Sequence, residues 1–95
     1  MSTQSQIKIA KVCDDIKDLL LKKNAKYGDS ALNPLRIMSS ASPVEQILVR
    51  IDDKLSRIKS GGILGDDEDV VSDLIGYFVL LKIALEKDLE DSYNN

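Results

Sequence analysis

Between residues 74 and 85 the chain reads LIGYFVLLKIAL, a stretch that is apolar on nearly every side when wound as a helix. A helix of that kind has to be covered on more than one face. At about twelve residues, with Lys82 inside it, the run is too short to cross a membrane, which takes roughly twenty. The cover must therefore be protein. A chain of 95 residues makes one domain, and a domain this small leaves much of its surface exposed. The expectation is a single all-α domain over residues 1–95, built from two long antiparallel helices plus an N-terminal helix. Homo-oligomerisation would complete the bundle. The alternative is that the N-terminal helix and its loop wrap the remaining face.

Helix boundaries follow from local chemistry. Thr3 and Gln6 have capping-box spacing, and Ile9, Val12, Cys13, Ile16, Leu19 and Leu20 recur on one face, so a first helix is expected over residues 4 to about 25, ending before Gly28. Ser42-Pro43-Val44-Glu45 places a hydroxyl at the cap, proline at the first helical position and a carboxylate three residues after the cap. A second helix then follows with Val44, Leu48, Ile51, Leu55 and Ile58 as its packing seam, up to Gly61-Gly62. Asp66, Asp67, Glu68 and Asp69 favour the start of a third helix, running to about Asp91, because its exposed amides attract negative charge. The fifteen residues from Gly28 to Ser42 are long for a connection. They are expected to hold a helical turn beginning near Pro34, with Leu35, Ile37 and Met38 tacked to the core.

Charge narrows the classes of function. Residues 1–42 carry seven Lys/Arg against four Asp/Glu, residues 43–95 six against twelve, and the net charge is −3. Without a basic stripe, duplex nucleic acid is a poor partner, since phosphate neutralisation supplies most of that affinity. A small anion held by a few cations fits better. One cysteine, Cys13, and no histidine leave neither an internal disulfide nor a zinc site of the usual kind. A cytoplasmic location is the expectation.

Three clusters could carry chemistry. Lys23, Asn24, Lys26, Tyr27, Gly28 and Ser30 combine cations, an amide, an aromatic ring and a hydroxyl where a helix gives way to a loop, the makings of an edge for a base and phosphates, or simply a helix end. Arg50, Asp53 and Arg57 form a charged ridge on the second helix, with Asp52 and Lys54 flanking it. Asp73 sits where the third helix turns apolar, so it needs a partner: Arg50, Lys54 or Arg57 across the hairpin, or a metal shared with Asp53 and Asp69. Mg²⁺ is the cation such carboxylates hold against phosphates.

The strings KKNAKYGDS, VRIDDKLSRIKS and EDVVSDLIGYFVLLKIAL together resemble the phage-associated nucleotide-modification-associated domain type 1 family, itself similar to the all-α nucleoside triphosphate pyrophosphatases of the MazG and dimeric dUTPase kind. The matched positions are Lys23, Asn24, Tyr27, Gly28, Ser30, Arg50, Asp53, Lys54, Arg57, Asp69, Asp73 and Tyr77. The resemblance implies an oligomeric, helical nucleotide-binding protein. It leaves two readings. One is a non-catalytic trap that sequesters a phosphorylated nucleotide, for example a cyclic immune signal, in pockets between protomers; Tyr27 stacks on a base, and Lys23, Lys26, Arg50 and Arg57 neutralise phosphates. The other is a Mg²⁺-dependent pyrophosphatase with Asp53, Asp69 and Asp73 on the metal and Glu68 orienting water. Asp14, Asp15 and Asp18 stand where those enzymes carry paired glutamates, which favours binding.

Overall fold

A computed structural model describes residues 3–64 and 69–94. It contains three helices, α1 (Gln4–Lys26), α2 (Pro43–Gly61) and α3 (Val70–Tyr93), and no strand among the described residues. Their ends obey the local signals. The Thr3 hydroxyl accepts the Gln6 amide at 3.1 Å while the Gln6 side chain accepts the Thr3 amide at 2.9 Å, a complete capping box. Ser42 accepts the Glu45 amide at 3.1 Å, and Gly62, at φ 79°, closes α2 in a conformation that suits glycine. Asp69 caps α3, taking the Ser72 amide at 3.0 Å and its hydroxyl at 2.7 Å. Asp66, Asp67 and Glu68, expected to lead into this helix, lie outside the described residues.

The core is an aliphatic seam between antiparallel α2 and α3. Ile47, Ile51 and Ala84 are buried together, with Val44, Leu74, Tyr77, Leu80, Leu81 and the loop residue Leu32 packed around them. The expected seam on α2 is half right. Val44 and Ile51 belong to it, but Leu48 and Leu55 are exposed, and Ile47 and Lys54 take their places. Two rows spaced by three and four share Val44, Ile51 and Ile58. Helix α3 packs on the row containing Ile47 and Lys54, where Asp73 reaches that lysine, whose stem is apolar enough to be covered.

The connection after α1 also differs from expectation. Its turn comes earlier, where the Asn33 amide bonds to the Asp29 carbonyl at 2.9 Å, and Pro34 follows it instead of starting it. Leu32 reaches the core, whereas Leu35, Ile37 and Met38 are exposed.

Helix α1 crosses α3 antiparallel and does not pack on α2. Ile16 is its only buried residue among those described, Leu20 lies against Gly76, and residues 4–15 are all exposed. The surface area records this. The chain exposes 7639 Å², whereas a compact monomer of 10.5 kDa exposes about 5,400 Å². Its radius of gyration, 15.7 Å, likewise exceeds the roughly 12 Å of a compact chain this long. No helix among the described residues is long and apolar enough to cross a membrane.

Gly76 marks where α1 meets α3. A Cβ there would stand 2.9 Å from Leu20 Cδ2, the flexible end of a side chain. Gly76→Ala should therefore stay within about 1 kcal/mol of the parent, since the gain in helix propensity offsets a small rotation of Leu20. Gly76→Leu has no such room and should lose about 1–3 kcal/mol in urea unfolding, with faster amide exchange in α1 than in α2.

Candidate functional site

The end of α1, the turn after it, one face of α2 and the first half of α3 enclose an open cavity of about 460 Å³. Its inner wall is aliphatic: Ile16, Leu19 and Leu20 from α1, Ile47 from α2, Leu80 from α3. Tyr27 and Tyr77 add two phenol rings, one on the loop side and one on α3, and Asn24, Gln46, Arg50 and Asp73 are among the polar residues of the lining. Seven residues singled out from the sequence, Lys23, Asn24, Tyr27, Ser30, Arg50, Asp73 and Tyr77, line this one cavity.

The turn is held by a small network centred on Asp29. Its carboxylate accepts Asn24 Nδ2 at 2.7 Å and Asn33 Nδ2 at 2.5 Å, and its amide bonds to the Asn24 carbonyl at 3.1 Å. These bonds, Asn33 first and then Asn24, hold the Asp29 carboxyl below the ordinary aspartate range. They also keep Asp29 at φ 61° after Gly28 at φ 63°, backbone that most side chains avoid. The chain thereby reverses direction and presents Tyr27 and Ser30 to the cavity.

On the opposite side, Asp73 accepts Lys23 Nζ at 3.2 Å on one oxygen and Lys54 Nζ at 3.1 Å on the other. The Asp73 and Lys54 side chains are 16% and 12% exposed, so the pair is largely withdrawn from water. Burial pushes the Asp73 carboxyl up, but the hydrogen bonds from Lys54 and Lys23 and their charges outweigh it, and the group lies below its ordinary value. Of the partners expected for Asp73, Lys54 is found, and Lys23 of α1 takes the second oxygen. Arg50 also lines the cavity, and among the described residues no carboxylate is ion-paired with it.

Other expected site residues fall elsewhere. Lys26 lies over the Tyr27 ring, 5.4 Å from its centre, on the outer side. Gly28 shapes the turn without lining the cavity, and Lys54 supports Asp73 from behind it. Arg57 lies beyond Lys54 on α2, outside the lining. Asp53, Asp69 and Asp73, expected to share a metal in the hydrolytic reading, are not grouped at one spot. Asp53 is exposed and away from the cavity, both Asp69 oxygens are taken by Ser72, and both Asp73 oxygens by lysines. Among the described residues no three His, Cys, Asp or Glu side chains are grouped to hold a metal ion. Glu68 lies outside the described residues.

Asp29, Gln46, Ser72 and Gly76 also line the cavity and were not singled out as site residues from the sequence. A signal existed for two of them. A glycine inside an apolar helix marks a close approach, and an aspartate between two asparagines in a turn marks a local network. Comparison of the chain with protein-family models, curated proteins and solved structures found no match, so the site is read from its own geometry.

The Asp73 cluster sets a pH dependence. Its carboxyl is depressed in the folded protein, so the stability it contributes is present above about pH 4, the unfolded value, and is lost as pH falls through the lower folded value. Asp73→Asn should lose about 1–3 kcal/mol at pH 7 in urea unfolding. At pH 3 and below the gap to the parent should narrow, whereas a gap that stays constant from pH 7 to pH 2.5 would show that the carboxylate charge plays no part.

Proposed function

We propose that this chain is a small binding protein that captures a phosphorylated nucleotide in the cavity and acts as a homo-oligomer. The observation that carries the reading is the convergence of one stretch, Lys23, Asn24, Tyr27 and Ser30, with Arg50 of α2 and Tyr77 of α3 on one space. That space, about 460 Å³, falls in the range of about 300–1,000 Å³ typical of small-molecule sites. Its aliphatic wall and tyrosine rings suit a flat base. Asn24, whose Nδ2 donates to Asp29, and Gln46, whose Nε2 donates to the Ala41 carbonyl, keep their amide oxygens for its edge. Arg50 offers a guanidinium to a phosphate, a geometry Arg serves better than Lys, and Lys23 adds a second cation partly shared with Asp73. The same ligand class is what the expected resemblance of the three sequence strings implies. In this reading the protein is a trap in the host cytoplasm for a nucleotide signal, cyclic or linear, of the kind bacterial immunity uses.

Capture is favoured over Mg²⁺-dependent hydrolysis by the engagement of the carboxylates. A metal-bridged triphosphate needs free carboxylate oxygens converging on the phosphates. Here each Asp69 oxygen already accepts from Ser72 and each Asp73 oxygen from a lysine, and among the described residues no three such side chains are grouped.

The test incubates the purified protein with labelled nucleoside triphosphates and with cyclic di- and trinucleotides, with and without Mg²⁺, followed by washing, heat denaturation and chromatography of the supernatant. Intact nucleotide that appears only on denaturation is the expected result. Tyr27→Ala and Arg50→Ala should each weaken retention about tenfold or more. Release of pyrophosphate before denaturation would replace capture with hydrolysis, and unchanged retention in both variants would remove the cavity from the argument.

A further inference from the structure

The polar groups of the cavity differ in what they have already spent. Asn24 Nδ2 donates to the Asp29 carboxylate at 2.7 Å, and Gln46 Nε2 donates to the Ala41 carbonyl at 3.4 Å. Both partners only accept. Neither carboxamide can therefore be turned over, since its oxygen would then face another oxygen. Each amide nitrogen keeps a second hydrogen, but it is the oxygen that has no bond at all among the described residues. Ser72 repeats the pattern. Its hydroxyl gives its proton to Asp69 at 2.7 Å, which leaves the remaining lone pairs of that oxygen to accept. These three side chains come from α1, α2 and α3, and all of them line the cavity. The strong donors of the lining are the cations. Lys23 is shared with Asp73, and among the described residues no carboxylate is ion-paired with Arg50. The hydroxyls of Tyr27, Tyr77 and Ser30 give or take a hydrogen bond, so they set no preference.

We infer that the cavity selects nucleotides whose base carries an exocyclic amino group, as adenine, guanine and cytosine do, over hypoxanthine and uracil. This preference rests on the nucleotide reading of the cavity and adds the kind of base edge that the cavity accepts. An exocyclic amino group presents N–H donors where a keto base presents an acceptor oxygen. It matches oxygens that lack a donor. A carbonyl oxygen in the same place would face the oxygen of Asn24 or Gln46, and both would lose water without gaining a partner. Sites that hydrogen-bond a polar group of the ligand reject the analogue without it, because their own groups are then left unpaired. The aliphatic wall and the tyrosine rings make no such distinction, since any flat base can lie against them. Arg50 and Lys23 hold phosphates whatever the base. The carboxamides therefore govern which base is kept, and the cations govern whether a nucleotide is kept at all.

The experiment measures equilibrium dialysis of the full chain against the triphosphates and the cyclic dinucleotides of adenosine, guanosine, inosine, cytidine and uridine. Inosine has the purine frame without an amino group, and uridine has the cytidine frame with a carbonyl oxygen in place of the amine. In whichever phosphate form binds, the tightest base should carry an amino group and exceed its amino-free counterpart by about tenfold or more. Gln46→Met removes one acceptor at similar length and should cut that ratio by about threefold or more, whereas Arg50→Ala should weaken both members of the pair alike. Inosine or uridine as the tightest ligand overturns the preference and leaves the nucleotide reading standing, as does a counterpart held within the tenfold margin. A ratio that stays unchanged in both Gln46→Met and Asn24→Ala takes the carboxamides out of the selection and overturns it too. Failure of every nucleotide to bind removes the nucleotide reading itself, and the base preference falls with it.

Discussion

The carboxylate of Asp73 holds the three helices in one arrangement. It belongs to α3, Lys23 comes from α1 and Lys54 from α2, and the other ion pairs among the described residues join neighbours within a single helix. Exposed ion pairs contribute about 0–1 kcal/mol. This one is largely withdrawn from water on the Asp73–Lys54 side, so leaving either partner alone would be costly, and the pairing selects geometry as much as it adds stability. It decides which row of α2 faces α3, and it ties down the end of a helix that otherwise rests on Ile16 and on the contact of Leu20 with Gly76.

The cavity is a consequence of that arrangement. Because α1 touches α3 and not α2, a gap remains between α1 and α2 that side chains do not fill, and the turn stapled by Asp29 closes one side of it. Lys23 takes part in both the ion pair and the cavity wall. An anionic ligand near Arg50 would therefore meet a lysine already held in place, so that little side-chain freedom is lost on binding. The same crossing sends the first half of α1 away from its own core and leaves Ile7, Ile9 and Val12 uncovered.

Much of the fold was legible in the sequence because helix ends are local. Thr3 with Gln6, Ser42 with Pro43 and Glu45, and Gly61-Gly62 each act on amides or carbonyls within a few residues, and all of them stand where their spacing placed them. The candidate site was legible in part for the same reason. Lys23, Asn24, Tyr27 and Ser30 are close in sequence, so a helix end followed by a tight turn gathers them whatever the rest of the chain does. Gln46 and Ser72 carry no such mark, and their place at the cavity depends on how the helices cross. Leu35, Ile37 and Met38 misled because hydrophobicity says that a residue gains from cover without saying that its own chain supplies any.

The amino-acid order by itself determined three helices, their caps, the charge asymmetry and an apolar excess on the third helix, all set by interactions within a turn or two of the backbone. Tertiary structure decided between Ile47 and Leu48 as the buried row, and it gave Asp73 to Lys54 and Lys23 instead of to Asp53 and Asp69. Both outcomes turn on the rotation and crossing of whole helices. Rows spaced by three and four are nearly equivalent along one helix, and only the partner that packs against it breaks the tie.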